Sequence, residues 1–148
     1  MTAAIRSEMS VNEPALYVGF ELGKKEWKLG LTSGFGVKPW VETVASGDFA
    51  AVTRVLARAR QRLGLGEAAR VISCYEAGRD GVWVHRALER GGLENHVIDS
   101  ASIEVNRRAR WMKTDRLDAV KLVLLLVRVC AGDRSAWAEV PSLRRPGA

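Results

Sequence analysis

The chain has 148 residues, 47% of them hydrophobic, which is enough for one domain with a real core and too apolar for wholesale disorder. Lys and Arg number 23 against 17 Asp and Glu, a net charge of +6 that favours a polyanionic partner. Cys74 and Cys130 stand far apart and read as buried free thiols rather than a disulfide framework, and His85 and His96 lack the spacing of a zinc site.

The opening "MTAAIRSEMSVNEP" (1–14) has no apolar signal core and reads as a flexible leader. "ALYVGFEL" (15–22) has the aromatic and aliphatic content of a strand, and "EWKLGLTS" (26–33) gives a second after a short turn. "GVKPWVETV" (36–44) gives a third, which Pro39 assigns to a sheet edge. "SGDFAAVTRVLARARQRLG" (46–64) predicts a helix capped by Ser46 or Asp48, with Phe49, Val52, Val55 and Leu56 inward and Gly64 as the stop. "ARVISCYEA" (69–77) is apolar almost throughout, as a central parallel strand should be. "RDGVWVHRALERGG" (79–92) predicts a helix with Val82 and Leu88 inward, and "NHVIDS" (95–100) a short fifth strand. "VKLVLLLVRVC" (120–130) is a last helix, too short and too charged at Lys121 and Arg128 to span a bilayer. A soluble, cytoplasmic protein is expected.

The order βββαβαβα predicts an α/β fold, a mixed five-stranded sheet flanked by helices. Three meander strands followed by right-handed crossovers make the first and fourth strands parallel neighbours, the ribonuclease-H-like arrangement. Those two strands end in Glu21 and Glu76, which would then share the carboxyl edge of the sheet, where open α/β sheets bind ligands.

The last helix begins in "KTDRLDA" (113–119), which carries Asp115 and Asp118. One reading makes them a helix start, with Asp115 as N-cap and Asp118 at the third helical position. The other uses the same spacing differently: residues three apart share a helix face, so both carboxylates could enter one metal site. Four acids gathered at one edge repel unless cations neutralise them, and two metal ions there could activate water and stabilise a leaving oxygen.

"YVGFELGKKEWKL", "CYEAGRDGVWVHRAL" and "IEVNRRARWMKTDRLDAVKL" together resemble the N-terminal domain of the DEDD-type insertion-sequence transposases, recombinases related to the pilin-gene invertase. The resemblance runs from about Leu16 to Trp137, and its most specific parts are the "KTDRLDA" block and the glutamate after the fourth strand. It implies a RuvC-like nuclease domain whose four acids bind Mg²⁺, with Mn²⁺ as a substitute. Residue by residue, the second acid is Glu76, the third Asp115 and the fourth Asp118. The first is aspartate in the family, and Glu21 stands there in this chain. The resemblance further implies DNA transposition in a bacterial, nucleoid-associated setting, DNA as partner and a structured guide RNA as another. It also implies a second domain carrying a serine for strand exchange. The chain reaches "EVPSLRRPGA" soon after the last acid, and Ser135 and Ser142 do not match that serine. The expected organisation is therefore a leader (1–14), the RuvC-like domain (15–131) and a tail (132–148) where the second domain would begin, with no recombination by this chain alone.

Arg107, Arg108, Arg110, Lys113 and Arg116 crowd before the acidic pair and are the candidate phosphate contacts, with Trp111 as a base-stacking residue. The alternative for the whole chain is a non-catalytic module that binds nucleic acid and self-associates. Leu122 to Val129, apolar all round, favours it and predicts a homo-oligomer. An actin-like kinase half ranks last, because "ELGKKEW" lacks the glycines and hydroxyls of a phosphate loop.

Overall fold

The structure is a computed structural model that describes residues 14–78, 81–99, 117–133 and 138–140. Its elements, in chain order, are β1 (Ala15–Leu22), β2 (Glu26–Thr32), β3 (Trp40–Ala45), α1 (Phe49–Arg62), β4 (Arg70–Glu76), α2 (Gly81–Arg90), β5 (Glu94–Ile98) and α3 (Ala119–Cys130). The five strands form one mixed sheet in the order β3-β2-β1-β4-β5. β1–β2 and β2–β3 are antiparallel, and β1–β4 and β4–β5 are parallel. This α/β sheet with helices on both faces is compatible with a ribonuclease-H-like fold.

Alternation along β1 divides the core. Leu16, Val18, Phe20 and Leu22 pack with Val52, Val55 and Leu56 of α1 and Val84 and Leu88 of α2. Ala15 turns the other way, towards Leu122, Leu126 and Val129 of α3, with Ile72 and Cys74 of β4 beside it. A strand presents alternate residues to opposite faces, so one short sequence serves both layers. β4 is buried from Val71 to Tyr75, as its continuous apolar run requires. Residues 138–140 lie along the outer side of β5, with the Asp99 amide donating to the Ala138 carbonyl and the Val140 amide to the Val97 carbonyl.

Several local expectations change. β3 starts at Trp40 rather than residue 36. Gly34 and Gly36 take positive φ in the preceding turn, Thr32 Oγ1 closes that turn on the Val37 carbonyl at 2.8 Å, and Pro39 has no amide to donate. α1 is capped by Asp48, not Ser46, with Oδ1 accepting the Ala51 amide at 3.0 Å. Val82 is exposed, because α2 buries Val84, His85 and Leu88 instead. Cys74 is buried but Cys130 is exposed at the end of α3. Asp118, not a residue at the third helical position, is the N-cap of α3.

α3 also finds most of its cover within the chain. Leu122, Val123, Leu126, Val127 and Val129 are buried, and Leu124 is the large apolar side chain that the helix leaves exposed. The chain's own sheet supplies much of the cover that the apolar run asks of a second copy or of a further domain. Among the described residues, no helix is long and apolar enough to cross a membrane.

What seats α3 is a pair of glycines. Gly19 of β1 and Gly30 of β2 are direct cross-strand partners. A Cβ on Gly19 would lie 2.6 Å from the Val123 amide nitrogen and 2.8 Å from the Ala119 carbonyl oxygen. A Cβ on Gly30 would collide with the same Ala119 carbonyl. The first turn of the helix therefore rests directly on strand backbone. An alanine in a strand would ordinarily gain from reduced chain entropy, but here it has to displace backbone. Gly30→Ala should lower unfolding free energy by about 1–3 kcal/mol, the usual cost of overpacking. Gly66→Ala, where nothing lies within 4 Å, should leave thermal unfolding unchanged or slightly raised.

Candidate metal centre

The parallel pairing of β1 with β4 runs from Ala15↔Arg70 to Phe20↔Tyr75, and Glu21 and Glu76 are the residues that follow its last paired step. Neighbouring strands lie roughly 4.8 Å apart, so the two side chains leave the sheet close together. Both are on the α3 face. Gly19, two residues before Glu21, lies under Leu122 and Val123, and Cys74, two before Glu76, donates its thiol hydrogen to the Leu122 carbonyl at 3.5 Å. Burial pushes the Cys74 thiol well above its usual pKa, so it remains protonated and is no nucleophile.

The helix seated on the two glycines brings its N-terminus to these carboxylates. Glu21 Oε1 accepts the Ala119 amide at 3.3 Å, a long hydrogen bond across the gap from sheet to helix. The extra methylene that distinguishes Glu21 from an aspartate lengthens the arm that spans this gap. Asp118 is extended, with φ −79° and ψ 172°, and its Oδ1 accepts the Lys121 amide at 2.8 Å. Glu76 is half-buried, with Oε1 shielded from solvent. Helix N-termini carry partial positive charge, so α3 itself offsets part of the acids' charge.

Glu21, Glu76 and the start of α3 thus share one edge of the sheet. Because Asp118 is the cap rather than an interior helical residue, the one-face argument for Asp115 and Asp118 does not apply. Asp115 itself lies outside the described residues, as do Arg107, Arg108, Arg110, Trp111, Lys113 and Arg116. Among the described residues, no three Asp, Glu, His or Cys side chains gather closely enough to hold an ion. The donor types present, carboxylate oxygens, suit a hard ion such as Mg²⁺ or Mn²⁺. The glycine pair that holds the helix here is not among the candidate residues picked out from the sequence. Its signal was a glycine inside each of two adjacent strand patterns, which marks close backbone approach.

No family model matches the chain. The chain is 36% identical over 141 residues to a protein of Sinorhizobium fredii (strain NBRC 101917 / NGR234) named "Putative transposase y4rJ". The match covers 88% of this chain and 36% of that protein, so the chain spans about a third of its relative's length. This similarity supports kinship with a transposase family.

The capping role of Asp118 can be separated from any role of its charge. Asparagine caps helices about as well as aspartate, and alanine does not. In metal-free buffer, Asp118→Ala should cost about 1 kcal/mol of stability and Asp118→Asn only a few tenths, measured by urea unfolding.

Proposed function

We propose that this chain is the metal-binding catalytic domain of a DNA transposase or site-specific recombinase, with the RuvC-like version of the ribonuclease-H fold. The observation that carries this reading is the arrangement of Glu21 and Glu76 on adjacent parallel strands, facing a helix start that carries Asp118. In this reading Glu21, Glu76, Asp115 and Asp118 hold Mg²⁺, with Mn²⁺ able to replace it. The bound ions would supply an activated water and stabilise the leaving oxygen of a phosphodiester. The chain's own contribution is positional: β1 and β4 carry two carboxylates on adjacent strands of a rigid sheet, and the start of α3, whose Ala119 amide Glu21 accepts, carries Asp118. The transposase relative supports DNA as the partner, and a structured guide RNA is a second proposed partner. Arg107, Arg108, Arg110, Lys113 and Arg116, just before the acids in sequence, are proposed to hold phosphates near the site. Strand exchange, in this reading, is an activity of the longer transposase protein.

A second reading has its own support. Glu21 and Asp118 both accept amides at the start of α3, which gives each a structural role without metal. A non-catalytic module that binds nucleic acid and self-associates, with Leu124 on its exposed side, would need nothing more of them.

Metal response separates the two. An ion that binds only the folded state stabilises it by about 2.7 kcal/mol at a hundredfold excess over its dissociation constant. Mg²⁺ or Mn²⁺ at about 10 mM should therefore raise the melting temperature by several degrees. Glu76→Gln, nearly isosteric but uncharged, should remove most of the rise, and Asp118→Asn should remove part of it while keeping the cap. A wild-type melting curve indifferent to both ions would favour the module.

A further inference from the structure

The face of the sheet opposite the acids carries a charge pattern that the acidic edge leaves unexplained. α1 and α2 together contain six arginines, Arg54, Arg58, Arg60, Arg62, Arg86 and Arg90, and one carboxylate, Glu89. Both helices share one core cluster on the same side of the sheet and meet where Phe49 of α1 touches Trp83 of α2. The acids around this surface have local tasks. Glu89 accepts the Asn95 amide at 2.9 Å, Asp48 caps α1, and Glu94 accepts hydrogen bonds from both Nε and Nη2 of Arg70 at 2.7 Å. Glu42 faces Arg58 at 3.7 Å, and Arg62 lies 4.0 Å over the Trp40 ring. Among the described residues, Arg54, Arg60, Arg86 and Arg90 have no carboxylate within ion-pair distance. A groove of about 420 Å³ between the helices is lined by Arg60 and Glu67, by the paired Arg70 and Glu94, and by apolar side chains.

An aromatic side chain belongs to the same surface. Trp83 is 51% exposed although it is large and apolar. Its inner side is fixed: the ring meets Phe49 edge-on at 6.0 Å and lies 6.3 Å from Trp27. Arg86 and Arg90 follow it at i+3 and i+7 on the same side of α2. Arginines bind phosphate bidentately, and an anchored, half-open indole offers a surface on which an unpaired base can stack. A duplex keeps its bases stacked inside and would leave that surface unused.

We propose that the α1–α2 face binds a single-stranded nucleic-acid segment, with Arg54, Arg60, Arg86 and Arg90 on its phosphates and Trp83 against one of its bases. This deepens the nucleic-acid reading given above and rests on it. It assigns the contact to the face of the sheet opposite Glu21 and Glu76, and to residues other than the basic stretch that precedes Asp115 in the sequence.

The test is fluorescence anisotropy with a labelled oligothymidylate of about a dozen nucleotides, and with a duplex of the same length, in EDTA. The wild-type chain should bind the single strand more tightly than the duplex. Trp83→Ala and Trp83→Leu should weaken single-strand binding roughly 5- to 150-fold, the equivalent of 1–3 kcal/mol per stacked base, without changing the salt slope. Trp83→Phe should retain most of the affinity. Arg86→Gln with Arg90→Gln should flatten the slope of log affinity against log salt by up to about 1.4, at roughly 0.7 per phosphate. Trp83→Leu keeps an apolar side chain over Trp27 and Phe49, and the arginines are exposed, so these variants should fold, as their melting curves would verify. Wild-type affinity in folded Trp83→Leu and in the arginine pair would overturn the proposal. So would equal losses on duplex and single strand, or a change in self-association with no change in binding. Because the assay contains no free metal, it reads strand binding apart from any metal at the acidic edge. Absence of a metal response with intact strand binding would defeat the metal reading alone, and the converse would defeat this one alone.

Discussion

The contact on which the acidic edge depends is the approach of the Ala119 backbone to Gly19 and Gly30. Helices usually stand off a sheet by the length of their interleaved side chains. Here two paired glycines remove that layer at one point, and the first turn of α3 comes down onto strand backbone. The small side chain of Ala119 and the buried side chain of Leu117 fit the same approach. Only because the helix starts at that height does its first amide come within reach of Glu21. A larger residue at either glycine would lift the N-terminus, and with it Asp118, away from the two strand-borne carboxylates.

That geometry gives the acids two compatible tasks. A helix N-terminus attracts carboxylates, so Glu21 and Asp118 help to fix α3 whatever else they do. The same carboxylate oxygens are hard ligands, the donor type that the proposed divalent-cation site requires. The protein separates its charges accordingly. Carboxylates face α3 at the carboxyl edge, and unmatched arginines occupy the α1–α2 surface on the other side. A net charge of +6 does not reveal where these groups lie.

Much of the frame was legible in the sequence because the signals were local. β1 appears at Ala15–Leu22 as read, its pairing with β4 follows from crossover handedness, and the strand ends then place Glu21 and Glu76 without further information. The start of α3 was harder, because "KTDRLDA" offers an aspartate at two possible caps. The choice falls on Asp118, and the seat of Ala119 on glycines distant in sequence accompanies it. In α2, Val82, Trp83, Val84 and Leu88 are all apolar, so periodicity leaves the helix's rotation open. The ring contacts of Trp83 with Phe49 and Trp27 accompany the rotation that turns Val84 inward. Cys130 reads as core by composition and follows Leu126 by one helical turn, but it is the last residue of α3, where the helix runs out of cover, and so it is exposed. The arginine-rich helices were visible in the sequence, yet their meaning depends on both lying on one face of the sheet.

The central claim, that Glu21, Glu76 and the aspartates at the start of α3 hold divalent metal, is tested most directly by a crystal structure soaked in Mn²⁺ and read by anomalous scattering. The account predicts one or two Mn²⁺ peaks bonded at about 2.0–2.3 Å to carboxylate oxygens of Glu21 and Glu76, with at least one of Asp115 and Asp118 completing the site. A well-ordered soaked crystal with no anomalous peak at that edge, and with Glu21 still bonded to the Ala119 amide, would contradict it.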